Sequence, residues 1–345
     1  MTYTSKNLKK AGQFLAIAGL FGGMVSSSHA QEIVKSSAAG SGIYEAAINH
    51  QDGHIYVTSA GSRSNPGGAL YKINPANMAI VDSILLKENP PFGIGINSKT
   101  QTAYTTNTRT NSVSAVDLKT GKLIGSFNAG GEKSHTREVL VDEENNLIYV
   151  SNVGDPSDIW VIDGKTNKIL HTIPNLGKTA TGMAFAKGTD KIYLTIMGEN
   201  NVAVLNTQTK QIEKSFPSGG ESPINIASDG KRLFVTNQGS GTLTVLDTDG
   251  KLIKSIETGA GAIGVAYDGV KNRIYSANRG TGTTSVIDGT SYAILADLPT
   301  GSAPNFVKID KDGTAYVVNK TKGGRPKPGE QPVVDKNGDT LTKIN

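Results

Sequence analysis

The chain has 345 residues, with 35 Lys and Arg against 30 Asp and Glu, 41 Gly and no Cys. The lack of Cys excludes a disulfide scaffold and thiol chemistry, so stability has to come from a large, self-sufficient core. The formal charge of +5 is too small to argue by itself for a nucleic-acid partner.

Residues 1–30 read as a secretory signal peptide. Lys6, Lys9 and Lys10 form a basic start, Phe14 to Val25 is apolar but short for a bilayer span, and Ser28-His29-Ala30 is a small-x-small cleavage site. Removal of this segment takes away three Lys and no acid, which lowers the charge from +5 to +2. The expected location is the periplasm, and no later segment is apolar enough to predict a membrane span.

From residue 31 onward one unit recurs. Its marker is an aromatic in a short apolar run: IYVTS (55–59), AYTTN (103–107), IYVSN (148–152), IYLTI (192–196), LFVTN (233–237), IYSAN (274–278) and AYVVN (315–319). The aromatics Tyr56, Tyr104, Tyr149, Tyr193, Phe234, Tyr275 and Tyr316 are spaced 48, 45, 44, 41, 41 and 41 residues apart. Such a period, filled with runs of four to eight alternating residues and Asx- or Gly-containing turns, predicts four antiparallel strands per unit. The fold class is therefore all-β, a seven-bladed propeller over residues 31–345. From the axis outward, the GVA-type strand comes first, then YVTN, TVLD and KLIKSI. The turn after the third strand carries Asn74, Asp117, Asp163, Asn206, Asp247, Asp288 or Asn345, read as hairpin caps. The seventh unit stops at DTLTKIN without an outer strand, and EIVKSSAAG at 32–40 matches KLIKSIETG at 251–259. Pairing of 32–36 with 339–344 is thus expected to close the ring.

These YVTN-type runs, TVLD-type strands and Thr-Gly-Lys or Asp-Gly-Lys turns resemble the YVTN β-propeller repeat family. Local strings such as GIYEAAI (42–48), SRSNPGGALYKINP (62–75), PFGIGIN (91–97), REVLVD (137–142) and TGMAFA (181–186) are most similar to its periplasmic YncE-like members. The resemblance covers the chain beyond the signal peptide and implies a bacterial periplasmic protein, with single-stranded nucleic acid as one ligand class. It fixes the fold far more tightly than the function.

The starts of the inner strands and the loops between second and third strands share one face, and these loops do not repeat one another. The inner strands begin with Tyr44-Glu45, Phe92-Gly93, Arg137-Glu138, Thr181-Gly182, Ile224-Asn225, Ile263-Gly264 and Asn305-Phe306. Charged and amide side chains near the crowded axis either pair with each other or bind something. The candidate binding residues are Tyr44, Glu45, Arg63, Phe92, Arg109, Arg137, Glu138, Thr181, Asn225 and Asn305. Lys133, Arg279, Lys320, Lys322, Arg325 and Lys327 belong to the same face. Cations around aromatics suit a polyanion with stackable groups, although Glu132, Asp155, Asp158, Glu199 and Glu221 share that face and suit a plain mixed-charge surface. The opposite face, made of repeated turns, reads as solvated.

Enzyme signatures are sparse. Beyond the signal peptide the His are His50, His54, His135 and His171, too few and too scattered for haem or copper chemistry. No nucleophile elbow, P-loop or zincin motif occurs. One catalytic reading stands: Glu45, Glu138, Asn225 and Asn305 offer oxygen ligands for Ca²⁺ or Mg²⁺, as in lactone hydrolases built on propellers. The expectation is a monomeric, cofactor-free binder of a protein, a peptide, a small ligand or single-stranded nucleic acid.

Overall fold

Alternating apolar and polar residues give each repeat two faces to bury, and the repeats bury them against each other. A computed structural model describes residues 1–2, 31–62, 66–130, 135–322 and 335–345. Arg63, Lys133, Arg325, Lys327 and nearly all of the expected signal peptide lie outside the described residues.

Seven four-stranded antiparallel sheets form the ring. In blade 1 the strands from inside outward are Ile43–Asn49, His54–Gly61, Pro66–Ile73 and Ile80–Leu85. Blades 2 to 6 repeat this consecutive order. Blade 7 takes Ala303–Ile309, Ala315–Lys320 and Thr340–Ile344, then recruits Ile33–Ala38 as its outer strand. The closing register runs from Ile33↔Ile344 to Ala38↔Thr340, so the expected closure holds and reaches two residues beyond Ser36.

The repeat signature has a physical reading. Buried aromatics such as Tyr56, Tyr104, Phe234 and Tyr275 fill the gaps between blades, each exposed by 1% or less. One hydrophobic cluster bridges each neighbouring pair, for example Ala47, Tyr56, Leu70, Ile94 and Val116 between blades 1 and 2. Each such large side chain contributes about 1.5–3 kcal/mol on burial. The hydroxyl two residues after the aromatic staples one blade to the next: Thr106 Oγ1 donates to the Arg137 carbonyl at 2.8 Å, and Thr236 Oγ1 to that of Ile263 at 2.9 Å. The Asn that ends the motif holds the following loop. Asn237 Nδ2 donates to Thr244 Oγ1 at 3.1 Å, and Asn319 Nδ2 to Thr342 Oγ1 at 3.0 Å.

Six of the seven turn residues cap as expected. Asn74, Asp117, Asp163, Asn206, Asp247 and Asp288 each accept the backbone N–H two positions on. Asn345 has no turn to cap; its own N–H donates to the Glu32 carbonyl at 3.3 Å. Among the described residues no helix is long and apolar enough to cross a membrane.

Candidate functional site: the channel mouth

Six of the seven inner strands meet the axis through a bulge near their first residues. At that level the seven blades carry, in order, Glu45, Gly93, Glu138, Gly182, Asn225, Gly264 and Phe306. Contacts to the second strand define this equivalence. A large side chain thus alternates with glycine. The glycines let the neighbouring backbone close in: a Cβ on Gly93 would stand 2.1 Å from the Arg137 carbonyl oxygen, and one on Gly182 2.7 Å from Asn225 Cα. Seven is odd, so the alternation fails once, where blade 7 meets blade 1. There Asn305 Nδ2 donates to the Tyr44 carbonyl at 2.7 Å.

Around that seam the mouth collects cations and rings. Tyr44 and Phe92 meet edge to face with centroids 5.2 Å apart. Lys320 Nζ stands 4.0 Å from the Tyr44 centroid, and Arg109 Cζ 5.3 Å from that of Phe92. Arg109 is anchored through Nη1 to the Ala60 carbonyl at 2.7 Å. Arg279 donates to Asn305 Oδ1, while its Nε is buried without a partner among the described residues. Arg109 and Arg279 come from the loops between second and third strands of blades 2 and 6, and Lys320 ends the second strand of blade 7. Among the described residues none of the three forms an ion pair with a carboxylate. Burial and the neighbouring Arg279 pull the Lys320 ammonium down to a pKa of about 8. Burial likewise lowers Arg279.

Below the mouth lies a mixed-charge layer. Arg137 pairs with its own neighbour Glu138 at 3.4 Å and donates to the Ile224 carbonyl at 3.4 Å. Glu45, 3% exposed, accepts the Ile94 N–H at 3.3 Å. Burial first, then the charge of Glu138, holds the Glu45 carboxyl well above the usual carboxylate range. Burial also raises Glu138.

The sequence-derived set therefore divides. Tyr44, Phe92, Arg109 and Asn305 gather at the seam. Glu45, Arg137 and Glu138 lie just beneath it. Thr181 turns its hydroxyl into its own blade, 2.9 Å from Thr195 Oγ1. Asn225 is buried at 5% exposure and lines the channel. Two of the four oxygens offered for a metal already serve guanidinium groups, Asn305 with Arg279 and Glu138 with Arg137. Among the described residues no three His, Asp or Glu converge on a metal position. His135 is exposed, and its N–H donates to Asn152 Oδ1 at 2.6 Å.

Sequence reasoning missed one residue. Lys308 sits opposite Tyr316, and the equivalent positions in the other blades are Ala47, Gly95, Leu140, Ala184, Ala227 and Ala266. Stacking the seven inner strands on their aromatic partners would have exposed this lone Lys. On the opposite face a groove of about 780 Å³ between blades 3 and 4 is walled by the repeated turns around Asp142 and Asp190.

A family described as a YNCE-like beta-propeller matches residues 49–253. The uncharacterized protein YncE of Salmonella typhi is 36% identical over 177 residues, covering 49% of this chain and 50% of that protein. YncE of Escherichia coli O157:H7 is 30% identical over 238 residues, 66% of this chain and 67% of that protein. YncE of Escherichia coli K12 is 31% identical over 218 residues, with 60% and 61% covered. The aligned part of this chain spans about half the length of the first of these relatives (50%). On the fold, the repeat and these matches, the chain belongs to the YncE-like β-propeller family.

Proposed function

We propose that the protein is a non-catalytic binder that receives an anionic ligand at the channel mouth, and that it works in the periplasm after removal of residues 1–30. The observation that carries this reading is the placement of Arg109, Arg279 and Lys320 around Tyr44 and Phe92 with no carboxylate pairing them among the described residues. Arg279 and Lys320 are half-buried without a carboxylate in contact among the described residues, which costs stability that an incoming anion offsets. The seam supplies flat rings beside positive charge, which favours single-stranded nucleic acid over a compact anion: bases stack while phosphates meet Arg and Lys.

A fluorescence titration tests this with a labelled single-stranded oligonucleotide, an acidic peptide and inorganic phosphate as probes, at about 50 mM salt. The nucleic-acid reading expects affinity that falls with salt at a slope near −0.7 per phosphate contact. It also expects Phe92→Ala to weaken binding at unchanged slope. Tight binding of the peptide alone would leave a protein partner at the same mouth. Flat traces with all three probes reject the mouth as an anion site.

A further inference from the structure

The channel below the mouth is chemically unlike a packed axis. A cavity of about 250 Å³ runs along it, with Glu138, Asn225, Ser228, Tyr267, Phe306 and Lys308 in its wall. Lys308 is the one charged residue among seven equivalent inner-strand positions, the others being Ala, Gly or Leu. Among the described residues its ammonium has no hydrogen bond or ion pair, although Glu138 and Glu45 lie close enough to act on its charge. A Lys stem reaching into a narrow channel, where six sister strands keep Ala, Gly or Leu, is expensive without a compensating contact.

We propose that this cavity is a binding site for a small zwitterion, an α-amino acid with an apolar side chain, whose carboxylate meets Lys308 and whose ammonium meets Glu138 Oε1, the oxygen that Arg137 does not engage. Charge decides the class. A simple anion entering the channel meets Glu138 with Glu45 behind it; a simple cation meets Lys308 with Arg137 behind Glu138. A zwitterion offers each group its complement and adds no net charge to a half-buried space. Size agrees, since the cavity equals roughly eight water volumes at about 30 Å³ each, the scale of one amino acid. Val265, Ile309 and the Phe306 ring supply apolar wall for the side chain. Burial lowers the Lys308 ammonium below its ordinary value, and an incoming carboxylate reverses that. The site is separate from the mouth and uses none of Arg109, Arg279 or Lys320.

Calorimetric titration of the purified protein with apolar amino acids is the test. For leucine the series includes 3-methylbutylamine, which lacks the carboxylate, and 4-methylpentanoate, which lacks the ammonium. The expected result is binding of at least one apolar amino acid, with each truncated analogue weaker by about tenfold or more. Lys308→Met should lose the amino acid to a similar degree while keeping the wild-type circular dichroism. Arg109→Ala combined with Arg279→Ala, which disarms the mouth, should leave it unchanged. If Lys308→Met fails to fold, the analogue series on the wild-type protein still decides. No heat with any apolar amino acid up to about 10 mM, or equal binding of 4-methylpentanoate and leucine, overturns the proposal.

Discussion

The Lys320 ammonium caps the face of the Tyr44 ring at 4.0 Å from its centroid. The contact joins the end of the second strand of blade 7 to the inner strand of blade 1, across the seam where the ring closes. Cation and ring are both half-buried, and the attraction of such a pair grows as water is excluded. The same exclusion, with Arg279 and Arg109 near, is what draws the Lys320 pKa down to about 8.

This sets a pH dependence with a definite sign. The folded Lys320 loses its proton near pH 8, whereas the unfolded one holds it to about 10.4. Between those values the unfolded state binds more protons, so this group makes stability rise with pH across that window. Anion affinity moves the other way and falls from pH 7 to 9. Lys320→Met should weaken anion binding at pH 7 and flatten its fall toward pH 9. It should also raise the melting temperature at pH 7, because the desolvated charge is gone. An unchanged pH profile in the variant would detach Lys320 from the site.

Glu45 titrates in the opposite sense. Its carboxyl is raised by burial and by Glu138, so the folded state holds the proton longer than the unfolded one. The associated stability is complete below the ordinary Glu range and is lost as pH rises through the folded value. Glu45→Gln keeps the shape and removes the charge. Thermal melts should show the variant matching the wild type near pH 4 and exceeding it at pH 8. A variant less stable than wild type at pH 8 would mean that the ionised carboxylate is a needed partner there.

The alternation at that level makes Gly93 irreplaceable by steric argument. Gly93→Ala places a methyl 2.1 Å from the Arg137 carbonyl oxygen and 2.7 Å from Thr106 Oγ1. Backbone has to move in two blades, and overpacking of this kind costs about 1–3 kcal/mol. Gly125→Ala serves as the control for a crowding effect, because nothing lies within 4 Å of its added carbon. Urea melts in which Gly93→Ala is no worse than Gly125→Ala would contradict the packing of the axis.

Removal of 340–344 takes away the partner of both Ala315–Lys320 and Ile33–Ala38. The truncated protein should lose its cooperative melt rather than shed one strand, since each blade stands on two neighbours. A melting temperature within a degree or two of wild type would show that the ring does not need this closure.

The fold was legible because its determinants repeat. Tyr56 or Phe234, the staple Thr106 or Thr236, and the loop-holding Asn237 each do one job several times over, and repetition separates signal from accident. The candidate site was legible only in part because it is built from departures from the repeat. Glu45 and Arg137 stood out as charges at strand starts. Arg109 and Phe92 were found through their loops, but their meeting with Tyr44 and Lys320 depends on how blade 7 abuts blade 1, which no local pattern encodes. Thr181 shared the right position yet turned inward, because rotamer choice at a bulge is set by the Thr195 hydroxyl opposite. Lys308 was hidden for the opposite reason: a Lys in a strand reads as a surface residue until its six counterparts are laid beside it.

The pairing of Ile33–Ala38 with Thr340–Ile344 also imposes a timetable on the growing chain. The first strand to be made waits for the last one. At about 5–20 residues per second that wait is on the order of tens of seconds, during which the strand Ile33–Ala38 has no companion from its own chain. Only the final five-residue strand, Thr340–Ile344, supplies it.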